Sequence, residues 1–189
     1  NGIGVWLTPA INIHRTPLCG RNFEYYSEDP LVAGEMAAAM VEGIQSEGVG
    51  ASLKHFACNN KETNRKDCDS RLSERALREI YLKGFELCVK KAQPLTVMSS
   101  YNLVNGLWAS QNRELLTDIL RGEWGFKGMV TTDWYTHAPQ YTEIAAGNDV
   151  KMGCGDPAHV LQMMREGRLK REDVVVSVRR LLEMILKLA

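Results

Sequence analysis

Segments rich in apolar and β-prone residues alternate with helical patterns about five times along the 189 residues, and this alternation constrains the fold most strongly. It predicts an α/β fold in which helices cover a sheet of parallel strands. A closed (β/α)8 barrel needs about 250 residues and eight strands, so five units predict either an open doubly wound sheet or an incomplete barrel. The predicted strands span residues 5–13, 49–57, 95–101, 128–134 and 148–152.

The helical segments between these strands carry boundary signals. Ser27 or Asp29 can cap the first helix and Ser73 the second, because their side-chain oxygens accept hydrogen bonds from the free N–H groups of a first turn. Asn112 can cap the third helix in the same way. The predicted helices span residues 30–46, 74–91, 113–120, 142–146, 157–167 and 172–188.

Composition and motifs exclude several classes of protein. Lys plus Arg equals Asp plus Glu, 23 each, so no basic surplus favours nucleic acid or an anionic membrane as a partner. No apolar run approaches the roughly 20 residues that cross a bilayer. Five scattered cysteines without a C-x-x-C pair and four widely spaced histidines predict no metal site. Glycine-rich nucleotide-binding motifs are missing as well, so no cofactor is predicted.

The segment Gly128-Met-Val-Thr-Thr-Asp-Trp134 is the strongest candidate for a functional strand. Its apolar and β-prone residues suit a strand that is buried on both faces. Asp133 then lies at the carboxyl end of this strand, where parallel α/β barrels carry their chemistry. The alternative is that Asp133 is a helix N-cap or an ordinary loop aspartate.

Other polar side chains follow the same strand ends and would form one rim. Each has an ordinary structural alternative. A Lys-His pair is more often structural than catalytic, a tyrosine at a strand end is usually part of the core, and Arg21 can pair with Glu24 or Glu28. The conjunction of all of them favours a functional rim, which comprises Arg21, Lys54, His55, Arg65, Tyr101 and Asp133.

These residues lie in motifs that resemble the barrel domain of glycoside hydrolase family 3, the β-glucosidases, β-xylosidases and their relatives. The resemblance covers nearly the whole chain in order and implies a partial (β/α)8 TIM-type barrel. The motifs are Gly20-Arg-Asn-Phe-Glu-Tyr-Tyr-Ser-Glu-Asp-Pro30, Lys54-His-Phe-Ala-Cys-Asn-Asn60, Glu62-Thr-Asn-Arg65, Ser73-Glu-Arg-Ala-Leu-Arg-Glu-Ile80, Met98-Ser-Ser-Tyr-Asn102, Leu115-Leu-Thr-Asp-Ile-Leu-Arg-Gly-Glu-Trp-Gly-Phe126 and Thr132-Asp-Trp134.

The resemblance implies a retaining hydrolase that acts on a β-linked sugar. Asp133 matches the family's nucleophile, and Lys54 and Arg21 nearby would favour its charged form. Trp134 would offer an apolar face to the sugar on the leaving side. By similarity, the sugar-binding residues are Arg21, Lys54, His55, Arg65, Met98, Tyr101 and Trp134.

The sequence departs from the family pattern in what it lacks. The family's general acid is usually a glutamate on a separate α/β sandwich domain, which has no counterpart here. We therefore expect residues 1–189 to be the C-terminal larger part of the barrel domain, completed by the remainder of the hydrolase or by a second chain. Such a piece would turn over glycosides poorly or not at all alone and would expose apolar edges. His137 follows the candidate nucleophile, but a surface or capping role is expected for it.

One geometric conflict leads to a specific expectation. Neighbouring residues of a regular strand point to opposite faces, so Lys54 and His55 cannot both reach one sugar. We predict an irregular backbone at this pair, with a non-proline cis peptide as one form of it.

Three functional alternatives remain open at this stage. Within the same family, Lys-His-Phe followed by Ala-Cys-Asn-Asn favours the glucosidase or xylosidase branch over N-acetylglucosaminidases. A different barrel enzyme could use Lys54 as a Schiff-base nucleophile, as aldolases do. A non-catalytic sugar-binding or scaffold protein would keep the rim and lack the acid.

Overall fold

The computed structural model describes residues 2–188, and it contains one parallel sheet with helices packed around it. The strands are β1 (Val5–Trp6), β2 (Gly50–Phe56), β3 (Asp69–Ser70), β4 (Thr96–Ser99), β5 (Leu103–Val104), β6 (Leu107–Trp108) and β7 (Met129–Thr132). The helices are α1 (Pro30–Ser46), α2 (Glu74–Ala76), α3 (Lys83–Ala92), α4 (Gln140–Ala146), α5 (Pro157–Arg165) and α6 (Arg171–Leu188). Further helical segments are the π-helical Leu77–Tyr81 and Glu114–Glu123 and the 3₁₀ turn Ala109–Gln111.

The main sheet has the strand order β1-β2-β4-β7, and every neighbouring pair is parallel. Helices lie between successive strands, so the predicted α/β class with parallel strands and alternating helices is confirmed. Within residues 2–188, β1 and β7 form opposite edges and do not pair, so the sheet is not closed into a barrel. All carboxyl ends of the strands therefore lie along one edge of the sheet, where the rim residues were expected.

The outer predicted strands are shorter than the sequence suggested. Only Val5–Trp6 joins the ladder in the first, and Ala10 adds an isolated bridge to Lys54. Pro9 between them has no N–H to donate, which interrupts regular pairing. The predicted fifth strand is reduced to one bridge between Val150 and Thr131.

Local capping follows the sequence closely. Asp29 Oδ1 accepts a hydrogen bond from the Leu31 N–H at 2.8 Å at the start of α1, and Ser73 Oγ accepts one from the Ala76 N–H at 3.2 Å at the start of α2. The predicted helix over 74–91 is present as α2, a π-helical turn and α3 in succession. Asn112 Oδ1 accepts from the Leu115 N–H at 3.2 Å, as expected of its capping role.

The core lies between the sheet and the helices that follow its strands. Leu53, Val97 and Val130 occupy equivalent positions on three adjacent strands and are fully buried. Phe56 packs edge-to-face against Phe85 at 5.2 Å between ring centroids. Such aromatic pairs bury much apolar area and add a geometric preference, so they hold the second strand against α3.

A small second sheet was not anticipated from the sequence. Strand β3 pairs in parallel with β5, and β5 pairs antiparallel with β6. Each of these strands has two residues, too few for any periodic pattern to be visible. The sheet ties the loop after β2 to the loop after β4, and both loops carry rim residues.

Candidate active site

The carboxyl ends of β2, β4 and β7 surround a cavity of about 430 Å³. It brings together all eight residues that the sequence singled out, which are Arg21, Lys54, His55, Arg65, Met98, Tyr101, Asp133 and Trp134. The cavity also includes three residues that were not anticipated, Leu7, Lys66 and Tyr135. Lys66 and Tyr135 directly follow predicted residues in the sequence, and that adjacency was the only signal for them.

Asp133 follows β7 directly and is held by the backbone on both sides. Its N–H donates to the Ser99 carbonyl at 3.0 Å, and its Oδ1 accepts from the Trp134 N–H at 2.8 Å. Its Oδ2 is buried and has no hydrogen-bond partner among residues 2–188. The next helix begins only at Gln140, so Asp133 is not its N-cap. A fixed carboxylate with one free oxygen in a cavity is suited to chemistry.

The charge balance at Asp133 differs from the sequence expectation. Burial raises the pKa of this carboxyl, while the Trp134 N–H, the nearby Tyr101 hydroxyl and the charges of Arg21 and Arg65 act to lower it. Arg21 thus favours the charged form as expected, but burial outweighs the favourable contacts. Lys54 was also expected to favour the charged form of Asp133, but its Nζ pairs with Glu24 Oε2 at 3.3 Å.

His55 is almost fully buried at the base of the cavity, and both its backbone and its ring make hydrogen bonds. Its N–H donates to Asn12 Oδ1, and its carbonyl accepts from Asn12 Nδ2, both at 2.9 Å. Arg21 Nη2 lies 3.0 Å from Nε2, and the Tyr25 hydroxyl lies 3.3 Å from Nδ1. Asp133 Oδ2 is 3.8 Å from Nε2.

The surroundings of His55 favour the neutral form of its ring. Burial is the largest influence that lowers its pKa well below the ordinary 6.5, and the charges of Arg21, Lys54 and Arg65 lower it further. His55 and Asp133 are therefore close but do not form an ion pair.

The backbone around Lys54 and His55 is irregular, as the sequence argument predicted. The peptide bonds Lys54–His55 and Phe56–Ala57 are both cis. The pairing of β2 with β4 shifts register between Leu53 and Phe56. The side chains of Lys54 and His55 both line the cavity, which a regular strand does not allow for neighbouring residues.

Three basic side chains line the cavity together with Asp133, and each of them pairs with a glutamate. Glu24 pairs with Arg21 through one oxygen and with Lys54 through the other. Glu62 Oε2 accepts from Arg65 Nη1 at 3.1 Å, and the Arg65 guanidinium lies 4.7 Å from the Tyr101 ring centroid. Arg21 thus pairs with Glu24, as considered from sequence, and still lines the cavity.

Two aromatic rings stand at the open side of the cavity. Trp134 and Tyr135 are about half exposed, at 48% and 55%, and their ring centroids lie 6.2 Å apart. Tyr135 has a φ of 56°, which is rare for a bulky residue. Its N–H donates to the Met152 carbonyl at 3.1 Å, and its own carbonyl accepts from Lys66 Nζ at 3.0 Å. These contacts hold an apolar surface beside the carboxylate.

His137, which also drew attention in the sequence, lies outside this cavity. His137 is a surface residue whose Nδ1 lies 3.0 Å from Asp67 Oδ1. Across the described part of the chain, no cluster of three or more His, Cys, Asp or Glu side chains could hold a metal ion. None of the helices in residues 2–188 combines the length and the apolar character that crossing a bilayer requires.

The neutral state of His55 predicts a dependence of stability on pH. Below about pH 6.5 the unfolded chain binds a proton at this histidine that the folded chain does not. The free energy of unfolding should therefore fall as the pH drops below about 6.5, by up to about 1.4 kcal/mol per pH unit. Denaturant unfolding at a series of pH values measures this slope.

Two variants separate His55 from the other groups that titrate. In His55→Gln this contribution to the slope should disappear, because glutamine cannot bind the proton. In His159→Gln, a change on α5 and outside the cavity, the slope of the parent should remain. Equal slopes in the parent and in His55→Gln would contradict the neutral, buried ring.

Comparison with known proteins places the chain and its fold in one family. Residues 1–184 match the family model described as "Glycosyl hydrolase family 3 N terminal domain". The β-glucosidase A of Butyrivibrio fibrisolvens is 59% identical over 171 residues, which cover 90% of this chain and 21% of that protein. The exo-α-(1->6)-L-arabinopyranosidase of Bifidobacterium breve is 50% identical over 171 residues, which cover 88% of this chain and 22% of that protein.

Solved structures agree with the sequence matches. The structure of β-glucosidase 3B from Thermotoga neapolitana in complex with α-D-glucose superposes with a TM-score of 0.95 at 49% identity. That match covers 98% of this chain and 27% of the other, so the chain spans about a fifth to a quarter of the length of these relatives. Since the family model covers nearly the whole chain and the fold superposes closely, the chain belongs to glycosyl hydrolase family 3 and matches its N-terminal domain.

Proposed function

We propose that this chain carries the nucleophile and most of the binding site for the terminal sugar of a retaining β-glycosidase of the β-glucosidase type. The observation that carries the proposal is the buried carboxylate of Asp133, whose Oδ2 has no hydrogen-bond partner among residues 2–188, in the lining of a cavity that also includes the basic side chains of Arg21, Lys54 and Arg65. Two of the proteins compared above are named β-glucosidases, and one is solved with glucose.

The proposed reaction has two displacements at the anomeric carbon. Asp133 Oδ2 attacks that carbon while an acid protonates the departing glycosidic oxygen, which leaves the sugar as an ester of Asp133. Water then attacks the same carbon, gives its proton to the conjugate base and releases the carboxylate. The two inversions together retain the β configuration.

The surrounding residues would bind and orient the sugar. Arg21, Lys54 and Arg65 can donate charge-assisted hydrogen bonds to sugar hydroxyls, and His55 and Tyr101 supply further polar contacts. Met98 is buried in the cavity wall, whereas Trp134 stands at its open side. We propose that Trp134 packs against the apolar face of the sugar on the leaving side.

The acid is proposed to come from outside this chain. A retaining glycosidase needs a second carboxyl group about 5–5.5 Å from the nucleophile. Among the described residues that line the cavity, Asp133 is the only acidic one. The nearby Glu24 and Glu62 are engaged with basic side chains.

The missing acid and the open sheet have the same proposed explanation. We propose that residues 1–189 form the C-terminal larger part of a barrel domain, completed by further chain of the hydrolase or by a second chain. The chain spans only 21% and 27% of the length of two of these relatives, which supports further domains. Ile3 and Trp6 at the β1 edge of the sheet are more than half exposed, which suits an edge covered in the whole protein.

An aryl β-glucoside tests the proposal with the whole hydrolase that contains this chain. NMR of the first-formed sugar should show the β anomer, and a 2-fluoro glucoside should leave a stable adduct on the peptide that carries Asp133. The matched control is the aryl α-glucoside, which should not react. A first product of inverted configuration, or an adduct on another residue, would overturn the assignment of Asp133.

The isolated chain tests the proposed origin of the acid. It should hydrolyse the aryl β-glucoside far below the usual enzyme rates of about 1–10³ per second. A normal rate would show that the acid lies within residues 1–189. Replacing the aryl β-glucoside with β-xylosides, N-acetyl-β-glucosaminides or α-L-arabinopyranosides decides among the sugars that family members accept.

A non-catalytic sugar-binding role is the second candidate. It is favoured for the isolated chain by the single carboxylate in the described cavity. Under this alternative, Asp133→Ala weakens glucose binding and no assembly hydrolyses glycosides. The Schiff-base alternative gains no support, because Lys54 Nζ is paired with Glu24 at 3.3 Å.

A further inference from the structure

The hydrogen bonds around His55 determine which ring nitrogen carries its proton. The guanidinium of Arg21 can only donate, so Nε2 of His55, 3.0 Å from Arg21 Nη2, must accept. A neutral imidazole has one N–H, which then belongs to Nδ1. That N–H is directed to the hydroxyl oxygen of Tyr25 at 3.3 Å.

The Tyr25 hydroxyl is itself oriented by Asn59. Its hydrogen is donated to the Asn59 carbonyl at 3.1 Å, and its oxygen accepts from Asn59 Nδ2 at 2.9 Å. The hydroxyl thus has no second hydrogen to give to His55 and must accept from it. Tyr25 and Asn59 are both buried, at 5% and 1% exposure, so water does not compete for these positions.

We propose that Tyr25 and Asn59 are positioning residues that hold His55 in the Nδ1–H form, which keeps its Nε2 an acceptor in the cavity and leaves Asp133 Oδ2 free. This inference rests on the proposed function for its catalytic consequence, but not for the state of the ring.

The free oxygen of Asp133 is the reason that the tautomer matters. Oδ2 lies 3.8 Å from Nε2 and has no hydrogen-bond partner among the described residues. With the proton on Nε2, the ring would face this oxygen as a donor and compete for the lone pair that attacks the sugar. With the proton on Nδ1, Nε2 instead accepts from Arg21 Nη2 at 3.0 Å and has no hydrogen to direct at this oxygen.

The charged groups around the ring favour the same state. Arg21, Lys54 and Arg65 oppose a positive charge on His55, whereas Asp133 is the one carboxylate within 4 Å of the ring in the described chain. Tyr25 stays protonated, because burial raises the pKa of its phenol. A doubly protonated ring would have donors on both nitrogens and would clash with the donor Arg21.

Long-range ¹⁵N–¹H correlation spectra of the histidine rings test the proposal directly on this chain. Signals of His55 are identified by their loss in His55→Gln. In the parent protein, Nδ1 should be the protonated nitrogen and Nε2 the unprotonated one near neutral pH. A proton on Nε2, or a doubly protonated ring, overturns the proposal.

Tyr25→Phe then tests the role of the hydroxyl. It removes the acceptor of the Nδ1–H group, so the proton should move at least partly to Nε2. The matched control is Tyr26→Phe, because the neighbouring Tyr26 donates its hydroxyl to Met40 Sδ at 2.9 Å and not to His55. An unchanged tautomer in a folded Tyr25→Phe protein overturns the role of Tyr25, and the parent spectrum decides the case if that variant fails to fold.

The catalytic consequence is measured on the whole hydrolase. Tyr25→Phe should lower kcat/KM for the aryl β-glucoside by about tenfold, since a buried donor loses its partner, while Tyr26→Phe leaves it unchanged. The ring spectra do not depend on turnover. If the protein hydrolyses no glycoside, the proposed function fails, and the ring spectra still decide the tautomer. If it hydrolyses the aryl β-glucoside but the proton of His55 lies on Nε2, only the positioning role is refuted.

Discussion

Replacing Asp133 by asparagine is expected to lower kcat for aryl β-glucoside hydrolysis by at least about 10³-fold in the whole hydrolase, since the amide cannot form the sugar ester. The substitution keeps the size and the contact from the Trp134 N–H to Oδ1, so the fold should be preserved. Steady-state kinetics measures the loss, and the binding of glucose should change much less than kcat.

The matched control for this variant is Asp118→Asn. Asp118 is an exposed aspartate on the π-helical segment Glu114–Glu123, outside the cavity, and its loss should leave the rate within about twofold. In Asp133→Gly, added azide can enter the vacated space and attack the anomeric carbon once, which should give a glycosyl azide of inverted configuration. Retained activity in Asp133→Asn would remove this residue from the reaction.

Replacing Lys151 by methionine is expected to lower the free energy of unfolding by about 3–5 kcal/mol, the usual loss when one partner of a buried ion pair is removed. Lys151 Nζ lies 2.9 Å from Glu143 Oε2, and Glu143 is 1% exposed. Lys151 also donates to the Thr136 hydroxyl at 2.9 Å and to the Ala138 carbonyl at 2.8 Å. The lysine thus anchors the loop that follows Asp133.

The loss of unfolding free energy in Lys151→Met should be smaller at acid pH than at neutral pH. Burial raises the pKa of Glu143, and Lys151 acts against that rise. Without Lys151 the folded carboxyl holds its proton to a higher pH than the unfolded one. The loss should therefore be smallest at acid pH, where Glu143 is protonated in both folded proteins, and grow as the pH rises through the raised pKa of Glu143 in the parent.

Chemical denaturation of Lys151→Met is best compared with that of Lys90→Met. Lys90 makes a 2.6 Å ion pair with Glu86, but the pair is at the surface, so its loss should cost at most about 1 kcal/mol. The double variant Lys151→Met with Glu143→Gln should be more stable than Lys151→Met alone, because it removes the uncompensated charge. A loss below about 1 kcal/mol in Lys151→Met would contradict a structural role for the buried pair.

Much of the architecture could be predicted because its signals are local. Asp29 and Ser73 cap helices through N–H groups two and three residues ahead, so sequence proximity is sufficient to identify them. The buried strands β4 and β7 are short apolar or β-prone runs between turn signals. The three strands β3, β5 and β6 were missed, because two residues cannot display a period, and the pairing of β3 with β5 joins positions more than 30 residues apart.

The sequence predicted which residues line the cavity better than it predicted their ion pairs and pKa shifts. All eight expected side chains meet in it, because residues at the carboxyl ends of neighbouring parallel strands lie along one edge. Their roles stay predictions until the experiments above are done. The pairing of Lys54 with Glu24 and the dominance of burial at Asp133 were not foreseen, because exposure and ion pairing depend on the packed loops.

The sequence by itself determined the α/β alternation, the helix caps, the family and the set of side chains at the rim, since each of these is encoded in short motifs or in their order. Only the tertiary structure decided that His55 is neutral and which of its nitrogens accepts. The physical reason is that these states depend on hydrogen bonds between residues 30 or more positions apart and on the exclusion of water from the cavity base.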